Sequence, residues 1–172
     1  SLANGGLELM SKILHVAEKN GTKVMLNPAG PELAEPEKLK SLLDSVDVLI
    51  TNKEEMQLLV HGETLEELVR HALSYCPVVI VSDGPNGVVA SDGKSIVRAG
   101  MYEDVPVIDR TGAGDAFASG FLSQWVQGKS LRDSIIFASA NSTNVVTKVG
   151  AKAGILHKGV KLHEMPLTEK PF

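Results

Sequence analysis

One cysteine in 172 residues leaves Cys76 without a partner in the chain, so no internal disulfide staples the fold. Its setting, Tyr75-Cys76-Pro77-Val78-Val79, is that of a small buried apolar residue rather than a nucleophile, and a reducing cytoplasm is the compartment expected. No apolar run approaches the roughly 20 residues needed to cross a bilayer, and no basic-then-apolar leader opens the sequence. The chain starts at Ser1 instead of Met, which reads as a cut end. Blocks of Lys or Arg are missing too: 17 basic residues face 21 acidic ones, for a net charge of −4, so neither nucleic acid nor a membrane surface is an expected partner. The five histidines, at 15, 61, 71, 157 and 163, lack metal-ligand spacing. Repeats and linkers are absent. What is present, 43% hydrophobic and 22% charged residues, fits a single globular domain over 1–172 that handles a small molecule.

Hydrophobic periodicity predicts a helix over Leu7–Asn20, with Leu9, Met10, Ile13, Leu14, Val16 and Ala17 at helical spacing and Gly21 as its stop. A short strand over Lys23–Leu26, a loop through Asn27-Pro28-Ala29-Gly30-Pro31 and a short helix around Glu37–Leu43 follow. Val46–Ile50 and Val78–Val81 read as buried strands, separated by a helix that starts at the Thr64-Leu65-Glu66-Glu67 capping box and runs to about Tyr75. Gly87–Ala90 and Ser95–Ala99 form a hairpin about Ser91-Asp92-Gly93-Lys94, because Asp-Gly supplies the positive φ of a tight turn. An extended stretch is predicted at Val105–Ile108, then helices over Gly114–Gln127 and Leu131–Thr147. Helices alternating with buried strands predict an α/β fold, three-layer αβα, with a mostly parallel sheet and an antiparallel edge hairpin.

The chemistry concentrates in Asp109-Arg110-Thr111-Gly112-Ala113-Gly114-Asp115-Ala116-Phe117. Small residues at Gly112, Ala113 and Gly114 leave backbone N–H groups bare, and the helix that follows aims its positive end at the same place, which makes an anion site. An acid at its mouth would repel a merely bound phosphate. Asp115 makes sense if the anion is a phosphoryl group in transfer and the carboxylate takes the proton of the attacking hydroxyl. The plainer alternative is a Gly-rich turn with an Asp at a helix cap.

This segment resembles the second signature of the ribokinase-like PfkB carbohydrate kinases, Asp-x-Thr-Gly-Ala-Gly-Asp. Thr51-Asn52-Lys53-Glu54-Glu55 is similar to the family's Asn-x-x-Glu element, which implies that Asn52 and Glu55 organise the water and phosphates around Mg²⁺; by its residues alone the pair also reads as an N-cap and a surface Glu. Ser82-Asp83-Gly84-Pro85-Asn86-Gly87 resembles the nucleotide loop, so Ser82, Asp83, Gly84 and Gly87 would border ATP. Phe137-Ala138-Ser139-Ala140-Asn141 resembles the adenine-side helix, with Ser139 and Asn141 as nucleotide contacts. The resemblance also implies a monovalent cation, K⁺ in many members, surrounded by Asp109, Thr111, Val145, Lys148 and Gly150. Gly154 departs from the Ser-like residue common at one ligand position.

The resemblance runs from the Leu7 helix to Gly154 and implies an ATP-dependent phosphotransferase acting on the alcohol of a sugar, sugar phosphate or nucleoside. No first family signature and no lid are found, so the expectation is a C-terminal, nucleotide-binding portion, sticky or dimeric by itself. Two other readings stay open: a nucleotide-binding module without turnover, and a pyridoxal or hydroxymethylpyrimidine kinase of the same superfold. Trp125 and Phe121, four apart on one helix, are read as packing residues, and Arg110 stays open between phosphate contact and surface ion pair.

Overall fold

The computed structural model describes residues 6–100, 105–157, 159–162 and 165–172, so that His163 lies outside the described residues. Six strands join one sheet in the order β1-β2-β3-β4-β5-β6, and the chain divides into two compact units. The first comprises Ser1–Gly84, Val88–Ile96 and Pro171–Phe172, the second Pro85–Gly87 and Val97–Lys170.

In the first unit, α1 (Gly6–Lys19) buries Leu7, Met10, Leu14 and Ala17, a three-and-four spacing that lays one stripe on the core. Strands β1 (Met25–Leu26), β2 (Val48–Asn52) and β3 (Val78–Ser82) are parallel, and β4 (Val88–Ser91) pairs antiparallel to β3. Parallel neighbours require long crossovers, which here are helical: α2 (Gly30–Leu33) and α3 (Pro36–Lys40) between β1 and β2, then α4 (Lys53–Leu59) and α5 (Leu65–Ala72) between β2 and β3. Leu49, Val79, Val81 and Val89 from the strands meet Leu14, Leu39, Leu68 and Val69 in one core cluster. Truncating a residue as enclosed as Leu68 to Ala costs about 2–5 kcal/mol in such a setting.

The hairpin of β4 and β5 (Ser95–Ala99) turns where predicted. Asp92 Oδ1 accepts from the N–H groups of Lys94 and Ser95, and Gly93 takes φ 77°. In the second unit α6 (Ala113–Trp125) and α7 (Leu131–Val146) are joined through Gly128, at φ 74°, and Ser130, whose hydroxyl caps α7 at the Asp133 N–H. The helices pack closely at Gly120, where a Cβ would lie 3.1 Å from Ala138 Cα and 3.2 Å from Asn141 Cβ.

Several expectations need correction. Strand β1 starts at Met25, because Val24 N–H donates to the Asp47 carboxylate. The strand expected at Val46–Ile50 lies two residues later, and α5 stops at Ala72. Two helices were not anticipated. At α2, Pro31 stands in the first turn and Glu32 accepts from the Ala29 N–H; at α4, an Asn-x-x-Glu cap supplied a readable signal. Val105–Ile108 is irregular, with Ile108 N–H donating to the Val146 carbonyl that ends α7. A final strand, β6 (Leu167–Pro171), was unassigned because Leu-Thr-Glu-Lys-Pro carries no alternating apolar pattern; it pairs beyond the hairpin.

Candidate active site

In the first unit, the parallel register places Asn52 opposite Ser82, at the C-terminal ends of neighbouring strands. This is where open α/β sheets present ligand-binding groups. Asn52 ends β2 and caps α4: its Oδ1 accepts from Glu55 N–H at 2.8 Å, and Glu55 Oε2 accepts from Asn52 N–H at 2.9 Å. The reciprocal cap fixes both side chains at the strand end. Glu55 Oε1 and Asn52 Nδ2 take no part in it, so a carboxylate oxygen remains for a hydrated cation; oxygen donors of this kind suit Mg²⁺. Ser82 Oγ donates to the Thr51 carbonyl at 3.4 Å. Gly84 opens a short 3₁₀ turn at φ 48°.

Other residues singled out in the sequence lie in the second unit. Gly87, at φ 91°, passes so near the Ala99 carbonyl that no Cβ fits between them. The signature turn is organised by Asp109, whose Oδ1 accepts from Thr111 N–H and Oδ2 from Gly150 N–H, both at 2.9 Å. These bonds, the Thr111 side chain foremost, followed by the N–H groups of Thr111 and Gly150, hold the Asp109 carboxyl below the ordinary carboxylate range. Gly112 caps α6 at φ 80°, ψ 2°, with no side-chain cap. A Cβ there would lie 2.6 Å from Ala151 Cβ and 2.7 Å from the Ala151 carbonyl oxygen, so both backbone and packing demand glycine. Among the described residues, the N–H groups of Gly114 and Asp115 find no acceptor, while that of Ala116 bonds to the Gly112 carbonyl. Gly114 and Asp115 are exposed, and the helix end presents bare donors beside a carboxylate.

Asn141 takes a different place from that expected of a nucleotide contact. It is 2% exposed, its Nδ2 donates to the Ala116 carbonyl at 2.7 Å, and its Oδ1 accepts from Leu156 N–H at 2.8 Å. Ser139 is buried as well. Ser142, which the sequence reading did not single out, donates to the Ala113 carbonyl at 2.9 Å. The readable signal was a run of poor helix formers, Ser139, Asn141, Ser142, Thr143 and Asn144, inside one helix. Around Asp109, Thr111, Val145, Lys148 and Gly150 the side-chain oxygens of Asp109 already accept two N–H groups. Gly154 has no room for a side chain, because a Cβ would meet the Asn144 carbonyl oxygen. A monovalent ion there would depend on main-chain carbonyls.

Comparison with known proteins bears on the family and the fold. The pfkB family carbohydrate kinase model matches residues 3–158. The chain belongs to that family. It is 35% identical to the ribokinase of Haemophilus influenzae over 157 residues, covering 87% of this chain and 48% of the relative. It is 33% identical to the ATP-dependent 6-phosphofructokinase of Thermoanaerobacterium thermosaccharolyticum over 116 residues, 67% of this chain and 36% of that one. Among solved structures, Arabidopsis thaliana ribokinase complexed with ribose and ATP superposes with a TM-score of 0.76 at 27% identity, over 87% of this chain and 49% of that one. The fold is therefore the ribokinase-like three-layer α/β fold. The chain spans about half the length of these kinases.

Proposed function

We propose that the chain is the C-terminal portion of an ATP-dependent pfkB kinase, one domain that binds the nucleotide and carries the catalytic base. The acceptor is the alcohol of a sugar, sugar phosphate or nucleoside. The observation that carries the proposal is the start of α6: Gly112 in the left-handed conformation, bare N–H groups on Gly114 and Asp115, and Asp115 as the acidic residue of the first turn.

In this reading the turn of Gly112, Ala113, Gly114 and Asp115 borders the γ-phosphoryl group, and the bare N–H groups of Gly114 and Asp115 offset the charge that develops on its oxygens during transfer, whereas the Ala113 N–H donates to the Arg110 carbonyl at 3.2 Å. The bond from phosphorus to the ADP oxygen breaks as the acceptor oxygen bonds to phosphorus, and Asp115 takes the hydroxyl proton late in that transfer, which a weak carboxylate base can do. Mg²⁺, when bound, neutralises phosphate charge; Asn52 and Glu55 would hold its water. Ser82, Asp83, Gly84 and Gly87 border the nucleotide by family resemblance, and Ser139 and Asn141, both buried in α7, would belong to the helix behind its adenine side without touching it. Asp109, Thr111, Val145, Lys148 and Gly150 would surround a monovalent cation. The similarity to kinases named for ribose and fructose 6-phosphate supports a sugar acceptor.

Asp115→Asn separates the two jobs of this site. With the intact protein, product formation in a sugar and nucleoside panel should fall by about 10²–10⁴-fold, the usual weight of a positioned base. Binding of ATP·Mg should persist within a few-fold. Retained turnover in the Asn variant would remove Asp115 from the mechanism. A second reading, a nucleotide-binding module without turnover, is favoured for the isolated chain by its half-length match to these kinases. Activity that appears in the intact protein but not in this chain, at equal ATP affinity, would support it.

A further inference from the structure

The start of α6 is held from behind by two consecutive residues of α7. Ser142 Oγ donates to the Ala113 carbonyl and Asn141 Nδ2 to the Ala116 carbonyl, so both ties grip the turn that exposes the Gly114 and Asp115 N–H groups. Both carbonyls already serve as acceptors within α6, to Phe117 and Gly120 by helix geometry, and the ties are additional bonds rather than replacements. They depend on close packing: Gly120, facing Ala138 and Asn141, lets the helices approach until a short amide can reach across. Asn141 is also buried and bonds through Oδ1 to Leu156 N–H, so it cannot turn toward the ligand without breaking two bonds and leaving buried groups unpaired. Asn and Ser are poor interior helix residues, and Ala would serve α7 better if propensity alone decided.

We infer that Asn141 and Ser142 are positioning residues of the phosphoryl-transfer site. They fix the first turn of α6 through the Ala113 and Ala116 carbonyls, and so preset the Gly114 and Asp115 N–H donors and the Asp115 carboxylate. The inference rests on the proposed function, and it replaces a direct nucleotide contact by Asn141 with an indirect role. Holding donors in place before the ligand arrives removes an ordering cost from binding and from the transition state.

The test uses Ser142→Ala, which deletes one half-buried hydroxyl, with Ser142→Thr as the conservative control and Asn141→Ala alongside. Ser142→Ala should melt within about 4 °C of the parent, as the loss of one hydrogen bond allows. Amide exchange at Phe117, whose N–H bonds to the gripped Ala113 carbonyl, should quicken by about five- to tenfold, while the Leu122–Trp125 end of α6 is unchanged. Calorimetric ATP·Mg affinity should fall by about tenfold, and Ser142→Thr should restore both readouts. Unchanged Phe117 exchange, or unchanged affinity in a variant of a parent that binds, overturns the positioning role alone. A parent chain that does not bind ATP·Mg overturns the reading of the site and the positioning role with it. If Asn141→Ala does not fold, Ser142→Ala decides.

Discussion

Gly112 concentrates two demands in one residue: a positive φ and a Cβ position occupied by Ala151. Gly112→Ala should therefore cost about 2–4 kcal/mol, from backbone strain and overpacking together. Chemical denaturation measures it, and a loss under about 0.5 kcal/mol would show that the loop at Ala151 yields freely. Asp109 is the titrating part of the turn. Its folded pKa lies below the ordinary value, so its stabilisation is present above that value and is lost as pH falls through the folded pKa. The stability gap between the parent and Asp109→Ala should be full at neutral pH and close below about pH 4. A gap independent of pH would mean that the bonds to Thr111 and Gly150 do not favour the charged form. Cys76 shows the opposite case. Burial pushes its thiol up to about 11, and its Sγ lies 3.2 Å from the Val46 carbonyl. A thiol reagent at neutral pH should modify it at the rate of unfolding, and rapid modification of the native chain would contradict the burial.

At the scale of elements, the first turn of each helix was the most legible feature where polar caps announced it. Thr64 and Glu67 form the predicted box, with Thr64 Oγ1 accepting from Glu67 N–H at 3.2 Å. The same pattern at Asn52 and Glu55 starts α4; the N-cap is legible in the pair, but the short helix behind it carries too few apolar repeats to announce its length, and a cap and a cation-facing carboxylate are compatible. Asn52→Ala should cost about 1 kcal/mol of stability through the lost cap alone. An unchanged denaturation midpoint would show that the α4 end does not rely on it. The buried strands β2 and β3 were readable because their apolar runs are continuous, whereas β6 pairs through its backbone and leaves only exposed or half-buried side chains. The Asn141 and Ser142 ties were hidden for a different reason: a tertiary hydrogen bond between helices leaves only a weak mark, unfavourable residues inside a helix.

For the molecule as a whole, family and fold were legible because the signature, the Asn52–Glu55 element and the loop from Ser82 occur in family order across nearly the full chain. Acceptor choice was not legible in the same way. These residues are proposed to face phosphate and nucleotide, and the relatives they match extend to about twice this length. Calorimetric titration of the chain with ATP·Mg, beside Gly112→Asp, tests the central claim most directly, since the added side chain would collide with Ala151 and bring negative charge to the helix end. Saturable binding by the parent that the variant abolishes, at matched folded fraction, is the predicted result; no binding by the parent, or equal binding by both, would contradict a nucleotide phosphate site at the start of α6.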